Sequence, residues 1–125
     1  MTLTFILKGQ VMSGKNHMQI TRTGRHYPTK RWAAWRDLQV QLVLYTYDAH
    51  KLTRPLITTP CSAKIVFTHA DKRRRDVPGM LDALCHVLER AGVVKDDSLI
   101  VNWDVQTNLP PCRELAGVTI KLETL

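Results

Sequence analysis

The chain has 125 residues, room for one domain with a single buried core and no need of a disulfide framework. Its hydrophobic fraction of 44% is ordinary for a globular protein, and no apolar run approaches the roughly 20 residues of a membrane span. The formal charge of +7 points to a polyanionic partner, most simply nucleic acid.

Residues 3–8 read as a strand, with Leu3, Phe5 and Leu7 alternating against Thr4 and Ile6. The following GQVMSGKN, residues 9–16, approaches the phosphate-binding GxxxxGK[ST] loop. Asn16 stands where that loop needs a hydroxyl, and HMQITRTGRHYPT has no helical apolar stripe to receive phosphates. The expectation is a polar loop presenting Lys15, Asn16, Arg22 and Arg25 to a nucleic-acid backbone. A turn at Thr23-Gly24 makes residues 17–29 a short hairpin or an irregular arm.

Thr29 can cap a helix over 30–47, whose stripe is Trp32, Trp35, Leu38, Leu42 and Tyr45. The tryptophans are core at this spacing, or else platforms for stacking bases. Lys30, Arg31 and Arg36 lie off the stripe, facing phosphate or solvent. Residues 48–60 form a proline-flanked loop, and 61–68 a strand with Cys61, Ala63, Ile65 and Phe67 on one side.

A basic run, residues 72–75 (Lys72, Arg73, Arg74, Arg75), then meets Asp76. Leu81, Leu84, Leu88 and Ala91 make the core stripe of a second helix that tolerates Pro78 in its first turn and stops at Gly92. Asp82 and His86 lie opposite that stripe. After Lys95, the pair Asp96-Asp97 leads into a strand-like run over 99–105, with Val101, Trp103 and Val105 alternating. Pro110-Pro111 marks a loop, and Val118, Ile120 and Leu122 form a closing strand with Thr119 and Lys121 outward. The order of elements is that of a two-layer α/β (α+β) domain over 1–125, a mixed sheet with two main helices.

Basic residues beside paired carboxylates suit a site that holds a phosphodiester and a divalent cation together. The three cysteines, Cys61, Cys85 and Cys112, form no CxxC pair and no histidine completes a zinc spacing, so reduced thiols are expected. The start, MTLTFILKGQ, lacks the basic region and cleavage site of a secretory signal, which makes a cytoplasmic location the expectation.

The segment RRRDVPGMLDALCHVLERAGVVKDDSLIV resembles the RusA family of Holliday junction resolvases, small and often prophage-encoded endonucleases that cut four-way DNA junctions. The family pattern is a basic run, then D-x-D-N-x-x-K opening a helix, an A-G-like stop and a DD-[SA]-x-[IV] strand start. A looser likeness extends to the S-x-K-N loop, here Ser13 to Asn16, and to the first helix. The resemblance implies a RusA-like fold, Mg²⁺ as cofactor with Mn²⁺ as a substitute, branched DNA as partner, a homodimer, and neither a membrane nor a small-molecule cofactor. It makes Asp76 and Asp97 catalytic metal ligands, with Asp96 as the acidic neighbour.

The family's second aspartate falls on Pro78, its asparagine on Gly79 and its lysine on Asp82. Asp82, one turn after Pro78 on the same face, is then a relocated ligand or a solvated helix residue. Asp76 also reads as a helix cap and Asp97 as a turn residue. Lys72, Arg75 or Lys95 would replace the missing lysine. The rival function is a catalytically inactive binder of branched DNA.

Overall fold

Four strands form the main sheet of the computed structural model, which describes residues 1–14, 18–20, 22–46 and 54–125. They are β1 (Thr2–Lys8), β4 (Cys61–Thr68), β5 (Ile100–Gln106) and β6 (Gly117–Thr124), in the order β1-β6-β4-β5. The β1–β6 and β6–β4 pairs are antiparallel and β4–β5 is parallel, so the sheet is mixed. The intervening elements are β2 (Met18–Ile20), β3 (His26–Pro28), α1 (Lys30–Thr46) and α2 (Val77–Arg90).

Period-two alternation decides which sheet face is buried. Leu3, Phe5 and Leu7 of β1, Cys61, Ala63, Ile65 and Phe67 of β4, and Val118, Ile120 and Leu122 of β6 all turn inward. They join Met80, Leu84, Val87 and Leu88 of α2 and Val40 and Val43 of α1 in one cluster. Each fully buried Leu, Val or Ile contributes about 1.5–3 kcal/mol of transfer free energy. The opposite face, with Thr4, Lys8, Lys64 and Lys121 exposed, carries no helix among the described residues. The α+β expectation therefore holds, in two layers.

The hairpin expectation at 17–29 is met by β2 and β3, which pair antiparallel, and the chain after β1 enters that hairpin instead of a helix. A phosphate loop has no helix N-terminus to use there. Thr29 caps α1 as expected, its hydroxyl accepting from the Trp32 amide at 3.3 Å. The expected α1 stripe needs correction. Trp32 is buried and Trp35 packs on the core, but the inward line continues through Gln39, Val40 and Val43. Leu38 is 57% exposed and Tyr45 91% exposed. Both lines begin at Trp32 and fit a period near 3.6, and apolar residues crowd every side of the helix's second half. Periodicity had no means of choosing between them.

The second helix follows its signals closely. Asp76 is its N-cap, Pro78 sits in the first turn, and Met80, Ala83 and Val87 widen the expected Leu84–Leu88 stripe. Leu81 lies at the margin of that core, half-buried. Gly92 adopts φ +72, the Gly92 amide donates to Glu89 O, and the Val93 amide donates to Leu88 O. This is the left-handed glycine stop that the Ala91-Gly92 pair foretold. The strand expected over 99–105 begins at Ile100, because Asp96 caps a short 3₁₀ turn, Asp97–Leu99, ahead of it.

Gly117 starts β6 with φ +156, and a Cβ there would run into the carbonyl oxygen of Leu7 on the paired strand. Gly117→Ala is expected to cost about 1–3 kcal/mol, the scale of a strained backbone position. It would show as a lower urea midpoint at unchanged slope.

Candidate metal and nucleic-acid site

The β4–α2–β5 unit sets the geometry. Since β4 and β5 are parallel, α2 must run back against them, and its two ends lie at opposite ends of the strands. Asp76 is at one end and Asp97 follows the other. The 14 residues of α2 span roughly 21 Å at 1.5 Å per residue. Within one chain, Asp76 and Asp97 are therefore not brought together.

At the first end, Asp76 is held from two sides. The Ser13 hydroxyl donates to Oδ2 at 3.1 Å, and the Gly79 amide donates to Oδ1 at 3.4 Å. Gly79 is required by this packing, because a Cβ there would overlap both Ser13 Oγ and Asp76 Oδ2. The carboxylate opens onto a hollow of about 410 Å³ whose wall includes Arg31, Arg74 and Arg75. Lys72, Arg73 and Arg74 are exposed along the approach, whereas Arg75 is half-buried and donates to Asp71 Oδ1. Asp71 is held below the usual carboxylate range, chiefly by the Arg73 amide and then by the Arg75 and Arg73 cations. That pairing fixes the basic loop. Behind it His69 is buried and stacked on Phe67, and burial, then the Arg75 cation, pushes its pKa down. A neutral imidazole at this point adds no charge to the hollow.

At the second end, Glu89, Asp96 and Asp97 offer carboxylate oxygens within 4.8 Å of one another, all on exposed residues. The Asp97 amide donates to Glu89 Oε1 at 2.7 Å, and the Ser98 amide donates to Asp96 Oδ1 at 2.8 Å. Those bonds to Ser98 also hold Asp96 below the usual carboxylate range, so it is ionised at neutral pH. An all-carboxylate donor set is the hard kind that suits Mg²⁺ or Mn²⁺. The residues present thus fit a divalent ion at this end. Asp76, with exposed Pro78 beside it where a second carboxylate would stand, supplies only one such ligand.

Glu89 was not foreseen from the sequence. The Gly92 stop reverses the chain after one further turn and lays residues 96–97 back against the last turn of α2. Only that reversal, legible in Ala91-Gly92, could have pointed to Glu89.

Asp82 is exposed and lies 3.8 Å from His86, an ion pair when the imidazole is protonated. Six residues separate it from Asp76, which puts it about 120° around the helix and roughly 9 Å along it. Burial pushes the Cys85 thiol up to about 12, followed by the charges of Asp97, Asp82 and Glu89. The thiol is therefore protonated at neutral pH.

The remaining basic candidates that are described lie at the surface. Arg22 and Arg25 are exposed on the β2–β3 turn, and Lys30 is exposed at the start of α1. Lys95 is exposed beside the Glu89–Asp97 cluster, its amide bonded to Ile57 O. Lys15 and Asn16 lie outside the described residues. Trp32, one of the two possible stacking platforms, is buried with its ring edge-on to His86 at 6.0 Å, so it serves the α1–α2 packing. No described helix is long and apolar enough to cross a membrane.

No family model matches this chain. Among curated proteins it is similar to the crossover junction endodeoxyribonuclease RusA of Aquifex aeolicus (strain VF5), with 36% identity over 61 residues. The match covers 49% of this chain and 47% of that protein, so the chain spans about half the length of the relative it matches.

Proposed function

We propose that this chain is a Mg²⁺-dependent endonuclease of the RusA kind, with Mn²⁺ as a substitute, that nicks opposed strands of four-way DNA junctions as a homodimer. The role would belong to recombination and repair in a bacterial, phage or prophage setting. One observation carries the reading: a carboxylate, Asp76, opens onto a hollow walled by Arg31, Arg74 and Arg75. Cations that dock a phosphodiester lie there beside an anionic metal ligand. The partial similarity to a RusA endonuclease supports it independently.

The chemistry supplied by a bound Mg²⁺ is Lewis-acid polarisation of the phosphate and acidification of a water. The chain's own residues do the positioning. Arg31, Lys72, Arg73 and Arg74 draw the backbone in and offset its charge. Ser13 and the Gly79 amide fix the direction of the Asp76 carboxylate. Arg75 or Lys72 at the Asp76 end, or Lys95 at the Asp97 end, takes the place of the family's lysine.

The separation of Asp76 from Asp97 gives the dimer a chemical purpose. For both to serve one ion, Asp76 of one copy must face Asp97 of another, with Asp96 and Glu89 beside it. A two-fold axis then makes two equivalent sites, one for each opposed strand.

The reading is tested with an end-labelled synthetic four-way junction and a linear duplex control, in Mg²⁺, Mn²⁺ or EDTA. Symmetric metal-dependent nicks in the junction alone are expected. A junction that shifts on a native gel and stays uncut in every metal would instead establish the inactive binder, the reading favoured by Pro78.

A further inference from the structure

Asp76 Oδ2 accepts its hydrogen bond from Ser13, 63 positions earlier in the chain. A loop hydroxyl can orient a carboxylate only if the loop itself is held. Residues 9–14, which follow β1, are tied down at several points. The Gly9 amide donates to Ala116 O at 2.7 Å, and Gln10 Oε1 accepts from the Ala70 amide at 2.7 Å. Val11 is buried in the core.

The last tie is a surface and not a bond. A Cβ on Gly14 would lie 2.9 Å from Cε2 of Trp32 and 3.0 Å from its Cζ2 and Nε1, so the Gly14 backbone rests directly on the indole. Trp32 is 5% exposed, yet it stands outside the main hydrophobic cluster. Around it are the His86 ring of α2, edge-on at 6.0 Å, and the Arg36 guanidinium, 5.3 Å over the ring. Its indole N–H is buried and meets no acceptor among the described residues. An unpaired buried donor costs free energy, which a purely apolar side chain would avoid. What the indole provides is a flat, rigid surface wide enough to reach Gly14.

We propose that Trp32 is a positioning residue for Asp76, acting through Gly14 and Ser13. The role rests on the nuclease reading, and it adds to that reading what keeps the Asp76 carboxylate aimed into its hollow.

Close packing makes this line of contacts stiff. Ser13 Oγ occupies the space that a Gly79 side chain would take, against Asp76 Oδ2. Gly14, one residue on, has no side chain to hold it off the indole. The Ser13-Gly14 pair is therefore wedged between the first turns of α2 and α1. With a smaller ring at position 32, Gly14 settles into the vacated space and draws the Ser13 hydroxyl, now at 3.1 Å, away from Oδ2. Asp76 then keeps only the Gly79 amide at 3.4 Å, long for a bond of this type. Groups that orient a metal ligand from behind are typically worth about 10–100-fold in metal affinity or activity.

The test compares full-length proteins carrying Trp32→Phe, Ser13→Ala, Gly14→Ala and their pairs, with Trp35→Phe as a control. Trp32→Phe and Ser13→Ala are each expected to raise the Mg²⁺ concentration for half-maximal junction nicking by about tenfold, and together no further. Gly14→Ala, whose methyl meets the indole, is expected to do the same. Trp32→Phe added to Gly14→Ala makes room for that methyl and is expected to restore part of the loss. Trp35, on the same helix, packs on the core, so Trp35→Phe is expected to lower the urea midpoint and leave the Mg²⁺ requirement alone. Unfolding in EDTA reads the same contacts without metal or DNA. Ser13→Ala is expected to lower the urea midpoint of the parent but not that of Trp32→Phe. Should Trp32→Phe not fold, Gly14→Ala paired with Ser13→Ala makes the same comparison with the indole intact.

Additive urea midpoints would overturn the proposal whether or not the junction is cut, because Trp32 and Ser13 would then act separately. So would a Trp32→Phe protein that is less stable and nicks with the parent's Mg²⁺ requirement. A parent that nicks no junction in any metal would remove the nuclease reading instead, and non-additive midpoints would still establish that Trp32 seats Ser13 on Asp76.

Discussion

Asp76→Asn is expected to lower junction nicking by about 10²–10³-fold while leaving the thermal midpoint nearly unchanged. The loss follows from removing an anionic ligand whose ion contributes several kcal/mol of charge stabilisation, each 1.4 kcal/mol being tenfold in rate. The unchanged stability follows from the cap. Asp76 Oδ1 accepts from the Gly79 amide and Oδ2 from the Ser13 hydroxyl, and an asparagine amide can cap the helix about as well. Only the charge at the helix N-terminus is lost, worth about 0.3–1 kcal/mol. Asp76→Ala removes the cap as well and is expected to cost about 1 kcal/mol more. Steady-state nicking and thermal melts of the two variants separate ligand from cap. If Asp76→Asn nicks at the parent rate, Asp76 is a helix cap and nothing further.

Junction affinity is expected to fall by about 10²-fold between 50 and 200 mM salt, the response to about four phosphate contacts at a slope of roughly −0.9 each. Arg31, Lys72, Arg73 and Arg74 are the exposed cations nearest the Asp76 hollow. Arg74→Ala is expected to weaken binding and to reduce the slope by about one. Arg75 belongs to a different class, since its side chain pairs with Asp71 and shapes the loop. Fluorescence anisotropy of a labelled junction in EDTA checks both expectations without turnover. A slope that Arg74→Ala leaves intact would place the DNA elsewhere on the surface.

Most of the fold is legible in local patterns. Alternation in β1, β4 and β6 identifies the buried face residue by residue, and Asp76, Pro78 and Gly92 mark both ends of α2. These signals are local and each has one reading. Helix α1 fails the same treatment, because apolar residues on several sides fit two stripes and only tertiary packing selects Val40 and Val43 over Leu38 and Tyr45. The site is legible in part for a related reason. Sequence identifies Asp76, Asp96 and Asp97 as carboxylates of interest, but distance along a chain does not convey that a parallel pair forces the helix between them to separate its ends. The β4–β5 pairing is non-local, and so is the contact that brings Glu89 to Asp97. A site expected within one chain is, on this geometry, split between the two ends of α2.

The most direct measurement mixes two inactive proteins. Asp76→Asn and Asp97→Asn are each assayed alone on the four-way junction, then co-refolded in equal amounts so that subunits exchange. A site shared between copies leaves one intact pairing in every mixed dimer, Asp76 from one chain and Asp97 from the other. Nicking should return in the mixture, on one strand only and at a fraction of the parent rate. If the mixture, shown to contain mixed dimers, stays as inactive as its components, the two aspartates do not act across an interface and the account is contradicted.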